Sequence, residues 1–114
     1  MRNFDRHGEG MTESELLHEI ARRVADACHP TSVILFGSRA TGEARPDSDF
    51  DLLVVWKDED PPGNRSAAVR RALRGLSASL DIAVVPPSEF ERLKGRRVHV
   101  VGLAAREGRV LYAA

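Results

Sequence analysis

SVILFGSRATGEARPDSDFDLLVV, Ser32 to Val55, decides how this chain is read. An apolar, β-branched run from Ser32 to Phe36 leads into the pair Gly37-Ser38. A small polar segment holding Gly42 and Pro46 follows. Asp49-Phe50-Asp51 then opens a second apolar run, Leu52 to Trp56. Two such runs, bounded by Gly, Pro and Asp, predict two strands. The chemistry lies between them: a Gly-Ser turn leaves one strand, and carboxylates at i and i+2 enter the next.

Side chains on a strand alternate faces, so Asp49 and Asp51 should stand side by side, roughly 6.5–7 Å apart at the backbone. Two anions on one face repel unless a cation sits between them, and hard divalent cations take oxygen ligands. The pair therefore reads either as a metal-binding edge or as a strand cap followed by a solvated residue. The Gly-Ser pair bears on that choice. Glycine lets backbone approach a ligand closely, and the N–H groups of a turn or helix start donate readily to phosphate. The Ser38 hydroxyl adds a further donor.

Gly37-Ser38, ten intervening residues, then Asp49-Phe50-Asp51 resembles the signature of the DNA polymerase beta-type nucleotidyltransferase superfamily. The fuller string GSRATGEARPDSDFDLLV is similar to its smallest branch, the minimal nucleotidyltransferases, or MNT proteins. These often accompany HEPN-domain toxins and act as antitoxins. The resemblance is specific over Val33 to Val55 and looser toward the C-terminus. It implies transfer of AMP from ATP to a HEPN toxin. Gly37, Ser38 and Arg39 would bind nucleotide, and Asp49 and Asp51 would hold two Mg²⁺ ions, with Mn²⁺ as an alternative. It also implies a third carboxylate, for which Asp81 is the counterpart. The other reading is a non-catalytic antitoxin that neutralises its toxin by contact.

The rest of the chain fits one small α/β domain over 12–114, after a polar arm over 1–11. Charges balance at 17 basic and 17 acidic, so no bulk field draws the chain to nucleic acid or membrane. One cysteine, Cys28, excludes an internal disulfide and fits a cytoplasmic setting. Thr12 and Glu15 have capping-box spacing, and Leu17, Ile20, Ala21, Val24 and Cys28 recur at helical intervals before Pro30. Cys28 reads as a buried small hydrophobe. No histidine pair has metal-ligand spacing.

A short helix is expected over Ser38 to Ala44. Arg39 stands there either to pair with phosphate or as a solvated helix arginine. Lys57 to Asn64 reads as an acidic, Pro-rich loop, and Asp58, Glu59 and Asp60 as solvated acids. A helix over Arg65 to Leu76 carries Val69, Leu73 and Leu76 on one stripe. Arg65, Arg70, Arg71 and Arg74 lie away from it, as a solvated face or a surface for an acidic partner.

Leu80 to Val85 predicts a third strand. Asp81 near its start reads on the residues alone as either a strand-entry residue or, if this strand neighbours the second, a partner of Asp49 and Asp51. Ser88 and Glu91 suggest a capped helix, Val98 to Glu107 a last helix, and Arg109 to Tyr112 a terminal strand. The expected architecture is a small mixed sheet with helices mainly on one face and carboxylates on the other.

Overall fold

The computed structural model describes residues 11–57 and 62–114. The arm over 1–11, apart from Met11, and the acids Asp58, Glu59 and Asp60 lie outside the described residues. The elements in chain order are α1 (Glu13–Cys28), β1 (Ser32–Phe36), α2 (Ser38–Thr41), β2 (Phe50–Val55), α3 (Pro62–Ala72), β3 (Leu80–Val85), α4 (Pro87–Leu93), α5 (Val100–Glu107) and β4 (Arg109–Ala113).

Helix α1 begins where the sequence places it. The Thr12 hydroxyl accepts from the Glu15 N–H at 3.1 Å, and the Glu15 carboxylate accepts from the Thr12 N–H at 2.9 Å. Two donors that a helix start leaves unpaired are thereby satisfied. The helix ends as His29 turns left-handed, its N–H donating to the Ala25 carbonyl, and Pro30 follows.

The strands form one mixed sheet in the order β3-β2-β1-β4. β1 pairs antiparallel with both β2 and β4, while β2 pairs parallel with β3. Parallel neighbours need a long crossover, which α3 supplies. Leu52, Leu53, Val54 and Val55 are all buried, so β2 is covered on both faces. That explains why it reads as a continuous apolar run and not as an alternation.

On one face Val33, Leu35, Phe50, Leu52 and Val54 pack against α1 through Leu17, Ile20 and Val24, and against α3 through Val69 and Leu73. The larger helices thus take one face, as expected. On the other face Ile34, Phe36, Leu53, Val55 and Val85 meet Leu93 of α4 and Val101 and Ala104 of α5. Asp51 and Asp81 share this second face. Burying each such aliphatic side chain contributes about 1.5–3 kcal/mol.

Several elements differ in detail from their sequence reading. α2 is shorter, closing at Gly42 with φ 85°. α3 starts at Pro62, three residues before Arg65, and Arg65 is buried at 2% exposure, so it belongs to no exposed basic face; Arg70, Arg71 and Arg74 are exposed. The Ser88–Glu91 capping box is absent: with Ser88 as cap the helix would begin at Glu89, but α4 starts two residues earlier, at Pro87, whose fixed φ suits a first helical position. Glu91 pairs with Lys94 instead. α5 starts at Val100 because the His99 ring accepts the Val101 N–H at 3.1 Å and caps the helix there. Val98 is left outside it and fully exposed, and Ala105 is exposed too. No described helix is long and apolar enough to cross a membrane.

Candidate functional site

The ends of three chain segments meet on the second face of the sheet. Asp51 is the direct partner of Asp81 across the parallel β2–β3 pair, and the direct partner of Phe36 across the antiparallel β1–β2 pair. Both carboxylates therefore occupy the same position on adjacent strands, about 4.8 Å apart at the backbone. They share the face of Leu53 and Ala83, two residues further along each strand. The strand pairing expected for Asp81 is present.

Gly37 follows Phe36 and turns the chain into α2. Its backbone, φ 75° and ψ −158°, lies in a region essentially confined to glycine. A Cβ there would overlap Oδ2 of Asp51 and lie 3.3 Å from its Cγ. The absent side chain is thus the space that the Asp51 carboxylate occupies. Ser38 is the first residue of α2, at the same corner.

Burial pushes the Asp51 carboxyl above its ordinary value, and the charges of Asp81 and then Asp49 push it the same way. Asp49 is exposed and sits one residue before β2; Asp81 is exposed at its strand start. Asp51, with Asp81 and Asp49 each in Coulombic reach of it, gives an oxygen-only donor set that a hard divalent cation would relieve. No group of three potential ligand side chains stands in a preformed metal cage among the described residues. The donor set and the charge strain fit a cation; closure around it requires side-chain adjustment or further oxygens from substrate and water.

Arg39 lies on the far side of the same corner. Its Nε and Nη2 donate to the Ser48 carbonyl at 3.1 and 2.8 Å, and Nη2 also reaches the Pro46 carbonyl at 3.2 Å. Nη1 pairs with Glu13 at 2.9 Å, and the guanidinium stacks 4.3 Å from the centre of the Phe50 ring. It is therefore neither solvated nor directed at the carboxylate face. Nothing in the sequence spacing signals this bridge, because it joins α1, α2 and the turn before β2.

Three further side chains with chemical potential lie in or against the core. Cys28 is buried, and burial pushes its thiol up, away from nucleophilic thiolate. Trp56 packs against the α1–α3 core, as does Tyr112.

Comparison with known proteins gives this geometry a context. A nucleotidyltransferase domain model matches residues 14–108. The chain is similar to the crystal structure of a candidate nucleotidyltransferase from Sulfolobus solfataricus, with TM-score 0.61 and 28% identity, over 86% of this chain and 78% of that one. It is also similar to a toxin-antitoxin structure with AMP-PNP, at TM-score 0.56 and 18% identity, over 86% and 73% of the two chains. A mutant of the toxin-antitoxin MntA-HpeT matches at TM-score 0.54 and 17% identity, over the same shares, 86% and 73%. At these last two identities the likeness is one of fold. No curated protein matches the chain.

Proposed function

We propose that this chain, which belongs to the nucleotidyltransferase domain family, transfers AMP from ATP to a hydroxyl of a partner protein, a HEPN-domain toxin, and so acts as its antitoxin. The pairing of Asp51 with Asp81, beside the space left by Gly37, is the observation that carries the reading. Support for a toxin partner comes from the MNT-like string around Gly37-Ser38 and from the fold shared with toxin-antitoxin proteins. ATP as donor and a lone buried thiol fit a cytoplasmic setting.

Asp49, Asp51 and Asp81 would hold divalent cations, Mg²⁺ in the first place and Mn²⁺ as a substitute. Two bound ions would supply Lewis acidity and neutralise charge on the triphosphate. Gly37 and Ser38 would receive the β- and γ-phosphates on the N–H groups of the first turn of α2 and on the Ser38 hydroxyl. Asp81 would orient the acceptor hydroxyl and take its proton. The hydroxyl oxygen then bonds to the α-phosphorus, the bond from that phosphorus to the β-phosphate oxygen breaks, and pyrophosphate leaves.

Incubation of the chain and its partner with α-labelled ATP tests this. Label should appear on the partner only with divalent metal. Asp49→Ala or Asp51→Ala should abolish it, and Ser38→Ala should weaken it less, because the backbone donors remain. In cells, full toxin neutralisation by a folded Asp49→Ala/Asp51→Ala double variant would overturn the catalytic reading in favour of neutralisation by contact.

A further inference from the structure

We propose that Arg39 is a positioning residue for Asp49 and not a ligand of the triphosphate. The proposal rests on the metal-dependent transfer reading above and adds a part to it. One guanidinium holds the chain on both sides of Asp49. Before it, the Ser48 carbonyl takes two Arg39 N–H groups, at 3.1 and 2.8 Å, and the Pro46 carbonyl takes a third at 3.2 Å. After it, the Phe50 ring lies under the guanidinium plane at 4.3 Å. Asp49 stands between these two anchor points.

That residue needs such support. Asp49 is exposed and precedes the first residue of β2, so the strand ladder does not fix it. The turn ahead of it closes on itself, through the Ser48 N–H to the Arg45 carbonyl at 3.0 Å and the Arg45 N–H to the Ser48 hydroxyl at 2.9 Å. Arg39 ties that turn to α2, and through Glu13 to the first turn of α1. Its side chain is only 12% exposed. Four of its five N–H groups are committed to the two carbonyls and the carboxylate, and turning the side chain toward a phosphate would break these contacts and the ring stacking together. Lysine cannot replace it, since an ammonium has no planar fork to span two carbonyls while stacking on a ring.

The sign of the effect separates positioning from charge. A cation near a metal site repels the metal, so deleting Arg39 for its charge alone would tighten metal binding. Loss of positioning weakens it, and outer-shell partners of metal ligands typically account for about 10–100-fold in affinity. The test is Mn²⁺ titration of the intact chain, followed by water-proton relaxation, first without nucleotide and then with AMP-PNP. Arg39→Gln and Arg39→Lys should each bind Mn²⁺ alone about tenfold or more weakly than the wild type. Glu13→Gln, which breaks the ion pair but leaves the carbonyl clamp, should bind it like the wild type. Phe50→Leu removes the ring while keeping the core apolar; it should also weaken Mn²⁺ binding, and it carries the test if an Arg39 variant does not fold. Unchanged or tighter Mn²⁺ binding by the Arg39 variants, with AMP-PNP binding weakened, would overturn the proposal and make Arg39 a phosphate ligand. A wild type that binds neither Mn²⁺ nor Mn²⁺ with AMP-PNP would instead overturn the transfer reading itself.

Discussion

Gly37 and Asp51 fit so closely that a methyl group on the glycine would overlap the aspartate's Oδ2. Two penalties therefore fall on Gly37→Ala. Its backbone region costs a non-glycine residue about 1–3 kcal/mol, and the new Cβ displaces the carboxylate. The variant should unfold at lower temperature and lose labelling activity. Gly42→Ala is the control: φ is 85°, but nothing lies within 4 Å of a Cβ there. It should lose about 1–2 kcal/mol of stability and retain labelling. Labelling by Gly37→Ala at the wild-type rate would show that the Asp51 carboxylate need not stay where it is.

Asp51→Asn should act oppositely on the metal-free and the loaded protein. Burial, then Asp81, then Asp49 raise the folded-state pKa of Asp51 above its ordinary 3.8. Its contribution to stability is therefore fully present below 3.8 and is lost as pH rises through the raised folded value. Without metal at pH 7 the asparagine variant should be more stable than the wild type, and this advantage should vanish in acid. Adding Mg²⁺ and ATP should stabilise the wild type by mass action and leave the variant behind. Denaturant midpoints at both pH values, with and without Mg-ATP, measure the order; a variant less stable than metal-free wild type at pH 7 contradicts it.

Glu19 shows the reverse pH dependence on α1. Its carboxylate bonds Arg22 at 2.6 Å and Arg23 at 2.7 Å, and these bonds, Arg22 first, hold its pKa down to about 2. The stability it contributes is present above the ordinary 4.5 and is lost as pH falls through about 2. Glu19→Gln should cost about 0.2–1 kcal/mol at pH 7, the range for exposed pairs, and nothing once the wild-type carboxylate is protonated. A cost that persists in strong acid would point to packing by the side chain and not to its charge.

How much of this was legible in the sequence depended on how local the cause was. The Thr12–Glu15 cap follows from spacing within a few residues and was readable; the strand alternation that pairs Asp49 with Asp51 is equally local, but Asp49 stands one residue before β2. Asp81 needed one non-local assumption, that the third strand lies beside the second, and the parallel register supplies it. Arg39 was not readable, because its partners Glu13, Pro46, Ser48 and Phe50 come together only in the folded chain. Helical periodicity continues through Val98, while the His99 cap, a side-chain contact that no periodicity reports, starts the helix later. The buried state of Arg65 was hidden for a similar reason: an arginine off the apolar stripe reads as solvent-facing until the neighbouring elements are in place.

The two-sided burial of β2 leaves its alignment underdetermined by hydrophobicity. Leu52, Leu53, Val54 and Val55 are apolar in succession, so sliding the strand by one residue would exchange one aliphatic side chain for another on each face. Asp51 removes that degeneracy. A slip of one residue would turn its carboxylate inward between α1 and α3, where Leu52 is now wholly enclosed, and an unpaired charge there is prohibitively expensive. One-residue slips are thereby closed to the strand, because Asp51 must keep to the more open face of the sheet. The same aspartate that would hold a cation also serves as the ruler against which the central strands are aligned, so variants that neutralise it loosen the specification of the sheet as well as the site.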